Sequence, residues 1–275
     1  KPVKIVRRDR FKSHRMIEEA MLLANTVVAL ALGDADVPFL YRIHEEPDME
    51  KMADYSDISH ALGHDFNLSK TSDPVYLQRY LETIRNSPNE RALNMLLLRS
   101  MKKAAYSPHN IGHYGLALPV YAHFTSPIRR YPDLVVHRQL GRFIIHGDGV
   151  KNRGVSFYEE LGDRCTKSEI RADAAARDSV KMKTAEFMQR YLGEEFEGVI
   201  SGIIPIGFFV ELDEIPVEGL VHVSTLDDDY YEADDLGVSL IGRNKGRRFM
   251  IGDRLRVVVA RASKERGEID FMVVE

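Results

Sequence analysis

The sequence predicts an α+β protein with two domains, a mainly helical region at 1–192 and an all-β region at 193–275. Through most of the first region, apolar residues recur at helical spacing. After Gly193, short β-type runs alternate with Gly, Pro and Asp, as in "EFEGVISGIIPIGFFVELDEIPVEGLVHVSTL". The length of 275 residues agrees with two domains, because each can bury a core without disulfides.

Composition limits the classes of function. One cysteine, Cys165, cannot form an internal disulfide, which favours a reducing compartment and predicts a cytoplasmic location. We identify no apolar run that approaches the roughly 20 residues a bilayer requires, and we therefore expect no membrane partner. A formal net charge of −4 argues against a protein that binds nucleic acid through bulk charge. Any nucleic acid must therefore be bound by local patches.

Five stretches of the first region carry helical patterns. "SHRMIEEAMLLANTVVALAL" has Ser13 as a candidate N-cap and Gly33 as a stop, and "SDPVYLQRYLETIRNSP" has Asp73 placed to cap a helix with Pro74 in its first turn. "NERALNMLLLRSMKKAAY" continues with another helical pattern. The pattern then predicts a helix over "DLVVHRQLGRFIIHG", ending at Gly147, and a long one over "SFYEELGDRCTKSEIRADAAARDSVKMKTAEFMQRYL".

Five short strands within 193–275 favour a small closed barrel of the OB type. That fold binds single-stranded nucleic acid on one sheet face, where aromatic rings stack on bases. Successive strand residues face opposite sides, so Phe208 and Phe209 cannot both point inward and one ring faces outward. The acidic stretch "LDDDYYEADD" would repel phosphates, and we interpret it as a solvated loop.

The stretch "YAHFTSPIRRYPDLVVHR" concentrates groups that can hold a phosphate. Its two prolines stiffen the turn that carries Arg129 and Arg130. Adjacent arginines point in different directions, so one can meet a substrate while the other pairs with a carboxylate. Asp133 and His137 share a face of the following helix, where Asp133 can cap that helix or receive Arg130. From the residues alone, an anion site and a structural salt-bridge cluster are equally supported.

The longer stretch "GHYGLALPVYAHFTSPIRRYPDLVVHR" resembles the signature of the ribonuclease II and ribonuclease R family, with the ribonuclease R branch closest. "RMIEEAMLLAN", "LLRSMKKAAYSP" and "IRADAAARD" support this resemblance. "GVISGIIPIGFFVEL" and "EGLVHVSTL" resemble strands of the S1-type RNA-binding domain. The resemblance covers essentially the whole chain and implies the C-terminal part of an RNB catalytic domain at 1–192, followed by an S1-type barrel at 193–275.

The resemblance implies a 3′-to-5′ exoribonuclease that takes single-stranded or 3′-overhang RNA with a free 3′ end. It also implies metal-assisted hydrolysis to nucleoside 5′-monophosphates, with Mg²⁺ as the metal. Arg129 matches the family's catalytic arginine, which would stabilise the phosphate in the transition state. Glu18 matches a glutamate near the last nucleotides, and the adjacent Glu19 remains an alternative.

Other residues of the signature and the barrel are expected to contact RNA. Ile206 takes the place of a usual aromatic residue in the S1-type domain, so we expect one stacking contact to be either weaker or supplied by Phe208. The expected RNA-binding residues are Arg130, His113, Tyr114, Thr125, Phe208, Phe209 and His222.

The family's metal-binding aspartates lie upstream of the glutamate helix, and nothing before Ser13 matches them. Asp54 and Asp57, or those in 227–229, fall in the wrong regions. We therefore expect Mg²⁺ to be bound by aspartates outside this segment, and this segment to be an inactive C-terminal piece whose partner is the missing N-terminal part. The alternative is a catalytically dead RNA-binding or regulatory protein that uses the barrel alone.

Overall fold

The computed structural model describes residues 1–6, 9–87, 89–146, 153–234 and 236–274. The first region is mainly helical, as the apolar spacing predicted. Two short strands in it, β1 (Tyr41–Ile43) and β2 (Ala105–Ser107), pair in antiparallel fashion. The helices are α1 (Lys12–Asp34), α2 (Met49–Ala61), α3 (Pro74–Thr83), α4 (Glu90–Ser100), α5 (Tyr131–His146) and α6 (Val155–Met188).

Of the two predicted helix caps, the structure has one. Asp73 caps α3 by accepting a hydrogen bond from the backbone N–H of Val75 at 2.9 Å. Ser13 lies inside α1, whose N-cap is Phe11, so the prediction of a Ser13 cap is wrong. The predicted stop at Gly147 lies outside the described residues.

The second region contains eight strands, five in a barrel and three in a separate sheet that the sequence pattern did not distinguish. The barrel strands are β3 (Glu195–Ile204), β4 (Gly207–Leu212), β5 (Glu218–His222), β9 (Arg254–Ser263) and β10 (Glu268–Val273), and the separate sheet contains β6 (Tyr231–Ala233), β7 (Ser239–Gly242) and β8 (Arg248–Met250). The barrel closes in the order β10-β5-β4-β3-β9, and within it only the β10–β5 pair is parallel.

The barrel packs directly against the helical region. Val238 and Ile251, which flank strands of the small sheet, belong to the same buried cluster as Leu93 of α4. Arg91 of α4 also forms an ion pair with the buried carboxylate of Glu211 in β4. These contacts fix the barrel relative to α4.

The acidic stretch after β5 is not the solvated loop that we expected. The Asp229 carboxylate accepts hydrogen bonds from the backbone N–H groups of Asn244 at 2.9 Å and Lys245 at 2.6 Å. Asp228 accepts a hydrogen bond from Arg247 at 3.1 Å. The backbone bond from Lys245 is the largest of several contacts that lower the pKa of Asp229. The two carboxylates therefore hold the β7–β8 turn in place.

Helix α1 departs from the expectation that no apolar run is long enough for a membrane. It has 23 residues, and an 18-residue window within it has a mean hydropathy of 1.5. Only 17% of that window is buried. By length and composition alone, this helix could cross a bilayer, so the expectation that no apolar run is long enough is wrong. The core helix of a soluble protein can have the same length and composition. Its exposed apolar side chains are Met16, Ile17, Leu23, Val27 and Leu30.

Candidate functional site

A buried asparagine of α1 holds the loop that leads into the arginine turn. Asn25 is 2% exposed, and its Oδ1 accepts the backbone N–H groups of Phe124 at 3.0 Å and Thr125 at 3.1 Å. Its Nδ2 donates to the Tyr121 hydroxyl at 2.8 Å. Sequence reasoning did not identify this residue. The available signal was a single amide on the otherwise apolar inner face of α1, where a buried polar group needs partners.

The turn itself is held by Asp133, which is fully buried. Its carboxylate accepts the Ser126 backbone N–H at 2.8 Å and both Nε and Nη2 of Arg130 at 2.8 Å. Such a two-pronged contact occupies the guanidinium fork. Arg130 therefore braces the turn, and its expected contact with RNA remains a prediction.

A histidine of α5 adds a second brace. The Nε2 of His137 lies 2.8 Å from the Phe124 carbonyl oxygen, to which it donates in the tautomer that this contact requires. The imidazole also stacks on the Phe124 ring with a centroid distance of 4.1 Å. The segment before the arginines is thus fixed from α1 on one side and from α5 on the other.

Arg129 is the arginine that the turn leaves exposed to solvent. Its backbone N–H bonds the Ser126 carbonyl at 3.3 Å, which fixes the main chain. Within the described residues, the guanidinium of Arg129 makes no ion pair. A free planar fork on a braced turn can bind a phosphate oxygen pair without first breaking an internal contact.

Three other signature residues are expected to contact RNA, namely His113, Tyr114 and Thr125. They differ in whether their side-chain polar atoms have hydrogen-bond partners within the described residues. Tyr114 donates its hydroxyl to the Thr71 carbonyl, and burial raises its pKa to about 12, so it is a neutral tether. The Thr125 Oγ1 and His113 Nδ1 atoms are buried and receive no hydrogen bond from the part of the chain described. Buried polar atoms without a hydrogen-bond partner in the protein are uncommon. RNA contact by these three residues remains a prediction.

Two imidazoles close to the turn are held neutral. Burial is the main cause that lowers the pKa of His113 to about 4, with His44 and Arg42 adding to it. Burial likewise lowers the pKa of His123 to about 3, assisted by Arg130. The His123 Nδ1 lies 2.9 Å from the Tyr106 hydroxyl. At neutral pH the positive charge here is therefore carried by arginines.

We expect these histidines to make the free energy of unfolding fall as the pH is lowered from 7 to 5. Their folded pKa values lie below the ordinary value of 6.5, so the unfolded chain takes up protons first. The stabilisation is complete above the unfolded pKa and is lost as the pH falls toward the folded one. Each should contribute about 1–2 kcal/mol over this interval, after discounting for partial exposure. Urea titrations followed by circular dichroism measure the free energy of unfolding at each pH.

The matched variant is His123→Gln, which cannot titrate. Its free energy of unfolding should change less between pH 7 and pH 5 than that of the wild type, even if the variant is less stable at both values. An unchanged difference between the two pH values would contradict the assignment.

The glutamates of α1 stand apart from the turn. Glu18 is exposed and pairs with Arg10, and Glu19 is exposed as well. In the described segments, no hydrogen bond or ion pair joins Glu18 to the signature loop, so its role at a site remains a prediction.

The residues present do not fit a metal centre. Among the described residues, no three His, Cys, Asp or Glu side chains are grouped so that they could hold an ion. The described part of the chain therefore offers no set of ligands through which a metal-dependent step could be traced.

On the barrel, the two adjacent phenylalanines face opposite sides. Phe208 is 0% exposed and packs on Phe249 with a centroid distance of 4.9 Å. The expectation that Phe208 contacts RNA is therefore wrong, because its ring fills the barrel core. Phe209 pairs with Leu220 on the outer face, and strand alternation places His222 on the same face. Ile206, which is 50% exposed, adds an apolar side chain but no ring.

Glycines keep this face open. Gly202 lies opposite Phe209 in the β3–β4 pair, and a side chain there would meet nothing within 4 Å. Gly207 lies opposite His222, has φ 153°, and any Cβ would approach the Val221 carbonyl oxygen to 2.0 Å. The side chains of Phe209 and His222 therefore each lie beside a glycine, which leaves room for a flat ligand.

The imidazole of His222 has a defined orientation. Its Nδ1 accepts the backbone N–H of Ser224 at 3.1 Å, which fixes the neutral tautomer with the proton on Nε2. That Nε2–H group is left to donate.

Family models match both regions of the chain. Residues 1–146 match the model of the RNB domain, and residues 191–273 match that of the S1 RNA binding domain. Ribonuclease R of Thermotoga maritima is 44% identical over 277 residues, which cover 99% of this chain and 39% of the relative. Ribonuclease R of Aquifex aeolicus is 41% identical over 274 residues, covering 100% of this chain and 39% of the relative. The chain thus spans about 39% of the length of these curated relatives.

Solved structures agree with this match. RNase R of Mycoplasma genitalium in complex with ribose methylated single-stranded RNA has a TM-score of 0.90 at 28% identity, covering 99% of this chain and 43% of that one. Yeast Ssd1, a pseudonuclease, has a TM-score of 0.69 at 27% identity, covering 84% of this chain and 29% of that one. The resemblance inferred from the signature is confirmed, and the protein belongs to the RNB family as a ribonuclease R-like member, with an RNB segment followed by an S1 RNA binding domain.

Proposed function

We propose that this chain is part of a 3′-to-5′ exoribonuclease that hydrolyses single-stranded or 3′-overhang RNA to nucleoside 5′-monophosphates. The observation that carries the proposal is the free guanidinium of Arg129 on a turn braced by Asp133 and Asn25. The similarity to proteins named ribonuclease R supports the same reaction class.

In this proposal, Arg129 binds the scissile phosphate and stabilises the negative charge that grows on it in the transition state. Because its position is fixed in advance by the turn, little reorganisation accompanies the reaction. His113 and Thr125 would line the path of the last nucleotides, and Glu18 or Glu19 would contact them from α1. Mg²⁺, bound by aspartates outside this segment, would supply the activated water.

The barrel would capture RNA upstream of the reacting end. We assign it to the OB type, because five strands close on themselves and present Phe209 and His222 on one outer face. Phe209 would stack on a base, and the Nε2–H of His222 would donate to the strand.

The exposed apolar face of α1 is explained by the same proposal. The curated relatives are far longer than this chain, so their remaining length can supply a surface that covers Met16, Leu23 and Val27. We therefore place the missing N-terminal part of the protein, rather than a bilayer, on this face. We also place the protein in the cytoplasm, where its free Cys165 would stay reduced.

A second candidate is a catalytically dead RNA-binding protein that uses the barrel alone. The observation that favours it is the similarity to yeast Ssd1, a pseudonuclease. This chain would then keep Arg129 as a phosphate-binding group without hydrolysis.

The 275-residue chain should bind unstructured single-stranded RNA weakly and release no mononucleotides, even with excess Mg²⁺ or Mn²⁺. It lacks a grouped carboxylate site among its described residues, whereas its barrel face and Arg129 need no metal to attract RNA. Fluorescence anisotropy measures binding, and chromatography detects 5′-monophosphates. The longer protein that includes the upstream aspartates should degrade the same RNA. If its N-terminal part covers α1, the amide hydrogens of that helix should exchange with solvent more slowly in the longer protein than in the 275-residue chain.

Each outcome separates the candidates. A longer protein that binds RNA but releases nothing would favour the catalytically dead reading. Metal-dependent release by the 275-residue chain, absent in Arg129→Ala, would show that this chain holds its own metal site. Equal exchange of α1 in both proteins would remove the N-terminal part from that surface.

A further inference from the structure

A groove of about 1050 Å³ lies between the barrel and the helical region and is lined by both. Phe209 and His222 contribute to the barrel wall. Arg99 of α4 and Lys181 of α6 contribute to the opposite wall. The barrel face described above is therefore one side of a two-sided cleft.

The cations of the helical wall are free. Arg99 and Lys181 are both exposed, and in the parts of the chain that the structure describes neither forms an ion pair. By contrast, Lys183, two residues further along α6, pairs with Glu186 at 2.9 Å. The backbone at Gly267 lies so close to Lys181 that a Cβ there would be 3.1 Å from the Lys181 Cβ. The barrel turn thus fixes the base of this lysine beside the groove.

The barrel wall has the opposite electrostatic character. Arg261 on this wall is already paired with Asp270 at 2.6 Å and with Glu268 at 3.6 Å. Glu218 accepts a hydrogen bond from the Ser201 hydroxyl at 2.5 Å and forms no ion pair with any residue that the structure describes. A phosphate placed against this wall would meet more negative than free positive charge.

We propose that the groove binds single-stranded RNA with its bases against the barrel wall and its phosphates along Arg99 and Lys181. This inference rests on the proposed function of the barrel face as an RNA-binding surface. Stacking groups lie on one wall and unpaired cations on the other, and bases and phosphates of a single strand point in different directions. Repulsion by Glu218 favours the same orientation.

The two walls are held in fixed relation, so one strand can contact both at once. The Arg91–Glu211 ion pair joins α4 to β4, and Val238 is buried in the helical cluster. The site is therefore formed before RNA arrives, which reduces the cost of ordering it.

Salt dependence of binding to a labelled oligouridylate distinguishes the two walls. Each phosphate contact contributes about 0.7 to the slope of log affinity against log salt for single strands. Arg99→Ala and Lys181→Ala should each reduce that slope by about 0.7, so between about 50 and about 200 mM salt each variant loses about 2.6-fold less affinity than the wild type. Phe209→Ala should weaken binding by at least about fivefold at every salt concentration, with an unchanged slope.

Arg171→Ala on α6 and Lys103→Ala just after α4 are the matched controls, since both residues are exposed cations outside the groove. Both should keep the wild-type slope, and Lys181→Arg should keep it as well. Unchanged slopes in Arg99→Ala and Lys181→Ala, with binding weakened in Phe209→Ala, would overturn the proposed strand orientation alone. If Phe209→Ala also binds RNA as tightly as the wild type does, both the strand orientation and the RNA-binding role of the barrel face are contradicted.

Discussion

Replacing Arg129 with lysine in the longer enzyme should lower the rate of RNA hydrolysis by about 10²–10³ while RNA affinity changes little. Lysine keeps the charge but offers a flexible point charge in place of a planar fork. The difference therefore falls on the transition state, in which the phosphate gathers negative charge and needs donors already in position. Single-turnover kinetics with a labelled oligonucleotide measure the chemical step apart from binding.

The structure supplies the controls for this experiment. Arg142→Lys changes another exposed arginine, on α5 beyond the signature, and should leave the rate unchanged. Arg129 makes no side-chain contact that the structure describes, so its substitution should not alter the free energy of unfolding by more than about 0.5 kcal/mol. An Arg129→Lys rate within about threefold of the wild type would remove this residue from the catalytic role.

Sequence periodicity and capping missed helix α2 and the N-cap of α1, but they predicted the mainly helical character of the first region and the change to strands. Asp73 and Pro74 show why, because their preference for a helix start depends only on neighbours in the chain. The small sheet β6–β8 was not separated from the barrel strands. Its strands are only three or four residues long, and their pairing is set by distant contacts such as Asp229 with Asn244.

The candidate site could be predicted only in part. The sequence showed that one of Phe208 and Phe209 must face outward, but the choice depends on strand register, and the structure makes Phe209 the outer ring. Likewise, the sequence indicated that one of Arg129 and Arg130 could pair with a carboxylate, and the geometry of the turn shows that it is Arg130. Asn25 and Arg99 were missed because each lies beside a segment that is far away in sequence.

Asp133→Ala in the 275-residue chain should lower the free energy of unfolding of the helical region by about 3 kcal/mol. The carboxylate is fully buried, and its removal leaves the Arg130 guanidinium and the Ser126 N–H without their acceptor. Asp133→Asn keeps one acceptor oxygen without the charge, so it should cost less.

Urea unfolding followed by circular dichroism at 222 nm reports on the helices, where the turn lies. The exposed neighbour Arg129→Ala is the matched control and should unfold as the wild type does, since its guanidinium has no partner within the described residues. The barrel should keep its affinity for single-stranded RNA in Asp133→Ala, because Phe209 and His222 lie on the outer face of a barrel whose hydrophobic core is separate from the one beside the turn. If Asp133→Ala were as stable as Arg129→Ala, the Asp133–Arg130 pair would not brace the turn. The preorganisation of Arg129 would then need another source.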